Sequence, residues 1–204
     1  VGSKDVEYQI CFNPELAKKG VVNFYKALPI HETRCGLGFI IDSENFEVDD
    51  SRQRIQDKDK TGKLLEMVFK KLKSEIHYKI RTDSTSWDYI YQCLLDTNIP
   101  DTADFKYVRD AFNEILRPLL ESYVLNTEGG YDTKDNSYYN PTLSSLVPLA
   151  EIGVYNKHWV SKEVHDKLKI NHGILVESRT ISQILNFSIQ INLTSWILSL
   201  TAST

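Results

Sequence analysis

The feature that most constrains this chain is the run Leu37-Gly38-Phe39-Ile40-Ile41, which closes in the polar turn Asp42-Ser43-Glu44-Asn45. A short apolar run bounded by turn residues suits a buried strand. Its polar end then lies at the rim of a sheet, where side chains can reach a site. Polar sequence follows from Glu47 to Lys63. Leu64, Leu65, Val68, Phe69 and Leu72 then recur on one face of a helix. Ile76-His77-Tyr78-Lys79-Ile80 alternates apolar and polar, which predicts a second strand. Ser84 or Thr85 can cap a further helix through Leu95. Residues 35–96 therefore read strand, helix, strand, helix, an order that favours two parallel strands.

The flanks add elements to this unit. Asn13-Pro14-Glu15 combines a capping side chain, a proline suited to the first helical position and an acid at the positive end of the dipole. A helix is expected from there to about Leu28, ended by Pro29. After the interruption at Pro100–Thr102, a long central helix is expected from about Ala103 to Tyr123. Its apolar face uses Phe105, Val108, Phe112, Ile115, Leu116, Leu119 and Tyr123, and Pro118 predicts a kink or an early end. Residues 126–145 are rich in Gly, Asn, Asp and Ser and read as a long loop or a boundary. Tyr131, Tyr138 and Tyr139 within it form either a binding surface or a set of anchors. Ser161 can cap a short helix through Leu168. No charged side chain follows Arg179, yet Phe187, Ile189, Ile191 and Leu193 alternate with polar residues. That period belongs to a half-buried strand, not to a membrane helix. Such a strand has to be covered or paired, by this chain or by a second subunit.

The fold class is thus α/β or α+β: a strand-helix-strand-helix N-terminal part, a long central helix and a β-rich C-terminal segment. The expected parts are residues 1–125, a loop at 126–146, and a mixed part at 147–204 ending in strands. A chain of 204 residues with 41% hydrophobic and 25% charged side chains suits one compact domain or two small ones. The net charge of −4 argues against a nucleic-acid coat over the whole chain, though a local basic face remains open. Cys11, Cys35 and Cys93 are odd in number and widely spaced, so neither a disulfide framework nor a zinc knuckle is implied. They read as ordinary thiols of a reducing compartment, and the expected location is cytoplasmic. The start Val1-Gly2-Ser3 reads as a tag scar or an excised fragment without a signal peptide. The sequons at Asn186 and Asn192 are then chance.

The segment from Tyr25 to Thr85 carries a further pattern. Tyr25-Lys26 precedes Arg34-Cys35-Gly36, the apolar strand, and Asp42-Ser43-Glu44-Asn45-Phe46. Ser51-Arg52 follows, then Leu65, Phe69 and Leu72, then Asp83-Ser84-Thr85. This pattern resembles the start of the caspase large subunit. The resemblance implies a caspase-like α/β sandwich, with Arg52 among the residues gripping a substrate carboxylate through its bidentate fork. It does not extend to catalysis. Where the family carries a Ser-His-Gly at the end of its next strand, this chain has Phe105-Lys106-Tyr107-Val108. All three cysteines precede His172-Gly173, the reverse of the family's order. The resemblance therefore implies a non-catalytic relative or a piece lacking the nucleophile.

Two other chemistries compete. Asp42 and Asn45 at a strand end, with Asp83, Asp101 and Asp104, resemble the acidic cluster of PIN- or NYN-type nucleases, which hold Mg²⁺ and position water. Residues 161–186, with Lys162, Lys167, Lys169 and Arg179, read as a helix-turn-helix that could enter the major groove of DNA. The connection from Asn171 to Glu177 is long for that motif. His158 and His165 are seven apart but lack a third ligand, so no metal site is expected. Glu128-Gly129-Gly130 lacks the ending of a phosphate loop. The first expectation is a binding role without a cofactor: a protein-interaction or regulatory domain, as an inactive caspase relative or a subunit of an assembly. Arg52, Asp42, Glu44, Tyr138 and Tyr139 are the candidate binding residues. The expected partner is another protein, or a second copy through the C-terminal strand; neither a membrane nor, in first place, nucleic acid is expected.

Overall fold

The computed structural model of the protein describes residues 7–18, 20–51, 53–82, 84–126, 129–141 and 159–179. The chain divides into two compact units. The first runs to Ser122 and takes back Lys167–Ile174; the second holds Tyr123–Asp166 and everything from Leu175. The class is α+β.

The first unit is built on the apolar run of residues 37–41. It supplies the central strand of a sheet made of β1 (Gln9–Phe12), β2 (Phe24–Lys26), β3 (Leu28–Pro29) and β4 (Phe39–Asp42), in the order β1-β4-β2-β3. β4 pairs antiparallel with β1 and parallel with β2. Phe39 and Ile41 are fully buried, whereas Ile40 and Asp42 on the opposite face are half-buried. The helix expected over residues 13–28 is only the short α1 (Glu15–Lys18). Its start is as read, because Asn13 Oδ1 accepts the Glu15 N–H at 3.0 Å. Gly20 takes a positive φ of 57° and β-branched Val21 and Val22 follow, so the chain extends and Phe24 becomes a core residue of β2.

The expected strand at residues 76–80 does not form. α2 runs unbroken over Lys58–Thr82. Leu65, Val68, Phe69, Leu72 and Ile76 are its buried face. In a strand Ile76 and Tyr78 would share a face; here Ile76 is fully buried and Tyr78 is 69% exposed, a pattern that only the helical period gives. α3 (Ser84–Asp96) follows as read. The order is thus strand, helix, helix, without a second parallel strand. α2 packs on the sheet through Phe69, whose ring meets Phe39 edge-on at 6.1 Å, and Phe12 of β1 lies 5.4 Å from Phe39.

After a 3-10 turn (Ala103–Phe105), α4 (Lys106–Ile115) buries Val108, Ala111, Phe112 and Ile115 along α2. α5 (Arg117–Ser122) is separate, with Pro118 at its second position, so the expected break is present. α6 (Lys162–His172) begins at the Ser161 cap, whose Oγ accepts the Val164 N–H at 3.2 Å. It extends past Leu168 until Gly173, at φ 63°, turns the chain, with the Ile174 N–H on Leu168 O.

In the second unit β5 (Val124–Leu125) forms a hairpin with β6 (Tyr131–Asp132), and β7 (Tyr138–Tyr139) pairs in parallel with β8 (Glu177–Ser178). The expected loop at 126–146 therefore carries β6 and β7. Glu177 and Ser178, where the long connection of the helix-turn-helix reading would end, form β8, and residues 180–186 of that reading lie outside the described residues. The expected strand at 187–193 lies outside the described residues.

Candidate functional site

The sheet places Asp42 and Glu44 together. Asp42 ends β4, half-buried, and accepts the Ala27 N–H at 3.3 Å. Ser43 is buried and donates its hydroxyl to Glu7 O at 2.8 Å, which ties the turn to the chain entering β1. Asp42, Glu44, Glu7, Tyr8 and Lys71 share an open cleft of about 620 Å³. Arg52 lies outside the described residues. Tyr138 and Tyr139 belong to the second unit. The Arg179 guanidinium covers the Tyr138 ring at 3.6 Å, and the Tyr139 ring stacks on His165 at 3.9 Å and 12°. These tyrosines are packed against their own unit, as anchors are.

Among the described residues the acidic cluster of the nuclease reading is not brought together. Asp101 pairs with Arg109 and Asp104 with Lys58, each at 3.0 Å on the surface. Asp83 lies outside the described residues, as does His158. The second strand end needed to converge on Asp42 is absent, since residues 76–80 are helical. Among the described residues no group of three His, Cys, Asp or Glu side chains is placed to hold a metal ion. Burial pushes the Cys35 and Cys93 thiols up to about 12, so they are poor nucleophiles; Cys11 is exposed and unbridged. No described helix is long and apolar enough to cross a membrane.

A second cleft beside β1 was missed in the sequence. Tyr8, Ile10 and Phe12 point to one side of β1 and line a cleft of about 650 Å³. Leu72 of α2 and Tyr89 and Ile90 of α3 form the facing wall, with Lys71, Glu75 and Lys79 at its rim. The signal was present as the alternation Tyr8-Gln9-Ile10-Cys11-Phe12, directly before the helix cap that drew the reading.

Among the described residues β1 is also an edge strand with no partner on its outer side. The Asn13 N–H bonds to Gly38 O, so in the register of this pair Cys11–Ile40 and Gln9–Asp42 are the hydrogen-bonded partners. The other side of the ladder agrees, because the Ile41 and Ser43 N–H groups turn to Asn23 O and Tyr25 O on the β2 side. Ile10 and Phe12 therefore direct their backbone N–H and C=O away from the sheet, on the same residues whose side chains line the cleft. The Tyr8 hydroxyl is buried and has no hydrogen-bond partner among the described residues. Burial and nearby Glu75 raise its pKa, so it stays a phenol that can donate.

The chain matches no protein-family model, no curated protein and no solved structure.

Proposed function

We propose that the first unit is a binding module for an extended segment of a partner protein, which adds to the sheet along β1. The observation that carries this reading is the strand edge of Ile10 and Phe12, unpaired among the described residues, opening onto the 650 Å³ cleft. An added strand would take the outward backbone groups and set alternate side chains into the cleft. Period two on the ligand would match the spacing of Tyr8, Ile10 and Phe12. At one end, Asp42, Glu44 and Glu7 would favour a basic residue on the partner segment. On this proposal the likeness to the caspase large subunit is that of a non-catalytic relative, with β4 and its polar turn as the shared framework.

The reading predicts what a displayed library of unstructured peptides will yield against the whole chain. Enriched sequences should alternate apolar and polar residues, with Lys or Arg at one end, and should shift backbone amide resonances of residues 8–12. Ile10→Pro, which removes one outward N–H, should weaken the best peptide by about tenfold or more. Enriched peptides that map elsewhere, or bind Ile10→Pro unchanged, would sink the proposal. Self-association that competes with the peptide would make the occupant a second copy of the chain, and would equally overturn the choice of a separate partner.

A further inference from the structure

A second cleft of about 300 Å³, in the same unit but remote in sequence from β1, has a different chemistry. Arg109 of α4, Asn113, Arg117 of α5 and Asn171 at the end of α6 converge on it, with Thr97, Ile99, Phe112 and His172 completing the lining. No acidic side chain is among these residues. We infer that this cleft binds a small ligand through a carboxylate or phosphate group held between the two arginine forks.

Three observations carry the assignment. First, both guanidinium groups are held in place by backbone carbonyls. Arg109 Nη1 donates to Pro100 O at 2.8 Å, and Arg117 Nε donates to His172 O at 2.7 Å. A fork fixed in advance loses little entropy when a ligand docks. Second, the carboxylates that meet these arginines stand outside the lining and are weakly held. Asp101 is 94% exposed, and Glu121 reaches Arg117 Nη2 at 3.3 Å. The Asp101 carboxylate in particular is a surface partner that contributes little, so a ligand oxyanion can displace it. Third, donors remain open. Among the described residues Arg117 Nη1 and the Asn113 amide take no partner, whereas the Asn171 amide and His172 Nε2 are both engaged by Leu95 O. Two like charges facing one cleft with unused donors between them are complemented by an oxyanion that bonds both forks. The small volume and polar lining fit a compact ligand, not an extended chain.

Titration of the whole chain with inorganic phosphate, and separately with acetate, tests this by following the side-chain Nε–H resonances of Arg109 and Arg117 and the Asn113 amide. Saturable shifts are expected with at least one anion, and which anion saturates tells a phosphate ligand from a carboxylate ligand. Arg117→Gln should weaken the interaction about tenfold or more. Asn113→Asp, a change at an exposed position that leaves the core untouched, should abolish it by placing a negative charge in the cleft. Shifts that grow linearly and match those of chloride at equal ionic strength would overturn the assignment, as would saturable binding that survives Asn113→Asp. The outcome is independent of peptide binding at β1, which uses none of these residues.

Discussion

Asn23 shows how one polar side chain fixes the position of the strand from which the rest is built. It is fully buried. Its Nδ2 donates to Leu37 O at 2.8 Å and Phe39 O at 3.0 Å, and its Oδ1 accepts the Cys35 N–H at 3.1 Å. Asn23→Ala would leave two carbonyls and one N–H buried without partners, at a cost of roughly 3 kcal/mol or more. Urea denaturation should show the loss, and a change under 0.5 kcal/mol, about the size of an inert surface substitution, would contradict this role. Gly38 acts beside it by close approach: an added Cβ would stand 2.1 Å from Cys93 O of α3, so no side chain fits without moving that helix. His172 gives a pH signature. Burial, with Arg117 nearby, holds its pKa at about 4, below the ordinary 6.5. The unfolded chain then binds the proton that the folded chain refuses, so stability rises with pH between about 4 and 6.5. The contribution is complete above 6.5 and lost as the pH falls to 4, amounting to about 3 kcal/mol at most. His172→Gln should flatten that part of the stability profile relative to the parent chain, and an unchanged slope would contradict the assignment.

At the level of elements, the edge register makes a prediction of its own. Cys11 exchanges ladder bonds with Ile40, whereas Ile10 faces outward. Cys11→Pro should therefore cost about 3 kcal/mol or more, and Ile10→Pro clearly less, mainly the loss of a half-buried side chain. Equal losses in thermal or urea unfolding would mean that the register is wrong. What could be read from the sequence follows from which signals are local. β4, α3, the cap of α6 and the break near Pro118 were legible because each is set by neighbouring residues. The N-terminal helix was over-extended because a good cap says where a helix starts, not how far it runs. Gly20 and the two valines, backed by pairing with β4, end it early. Ile76–Ile80 misled because Ile76, Tyr78 and Ile80 satisfy period two over five residues, while the helical face is only apparent from Leu65 onward. Of the site, Asp42 and Glu44 were legible as a polar strand end. The facing wall of the β1 cleft was not, since Leu72, Tyr89 and Ile90 come from two helices whose approach no local pattern encodes.

At the scale of the molecule, the first unit is not contiguous, and one buried ion pair joins its two pieces. Asp96, at the end of α3, has a side chain only 5% exposed. Lys167 of α6 reaches its Oδ1 at 2.6 Å, and Gln92 donates to its Oδ2 at 3.2 Å. Asn171 and His172 fasten the same helix to Leu95 O. The segment Lys167–Ile174 therefore supplies the cation for this buried carboxylate of the N-terminal piece. Lys167→Met keeps most of the side chain's apolar stem but leaves Asp96 charged, buried and served by one neutral donor. Such a change should cost about 3–5 kcal/mol. Asp96→Asn in the same background removes the stranded charge while keeping an acceptor for Gln92, and should restore most of the loss. The cycle of both single variants and the double variant, followed by urea unfolding at neutral pH, measures the coupling directly. Strictly additive effects would mean that the pair is a surface contact, and that the returning helix is held by its backbone bonds and apolar face alone.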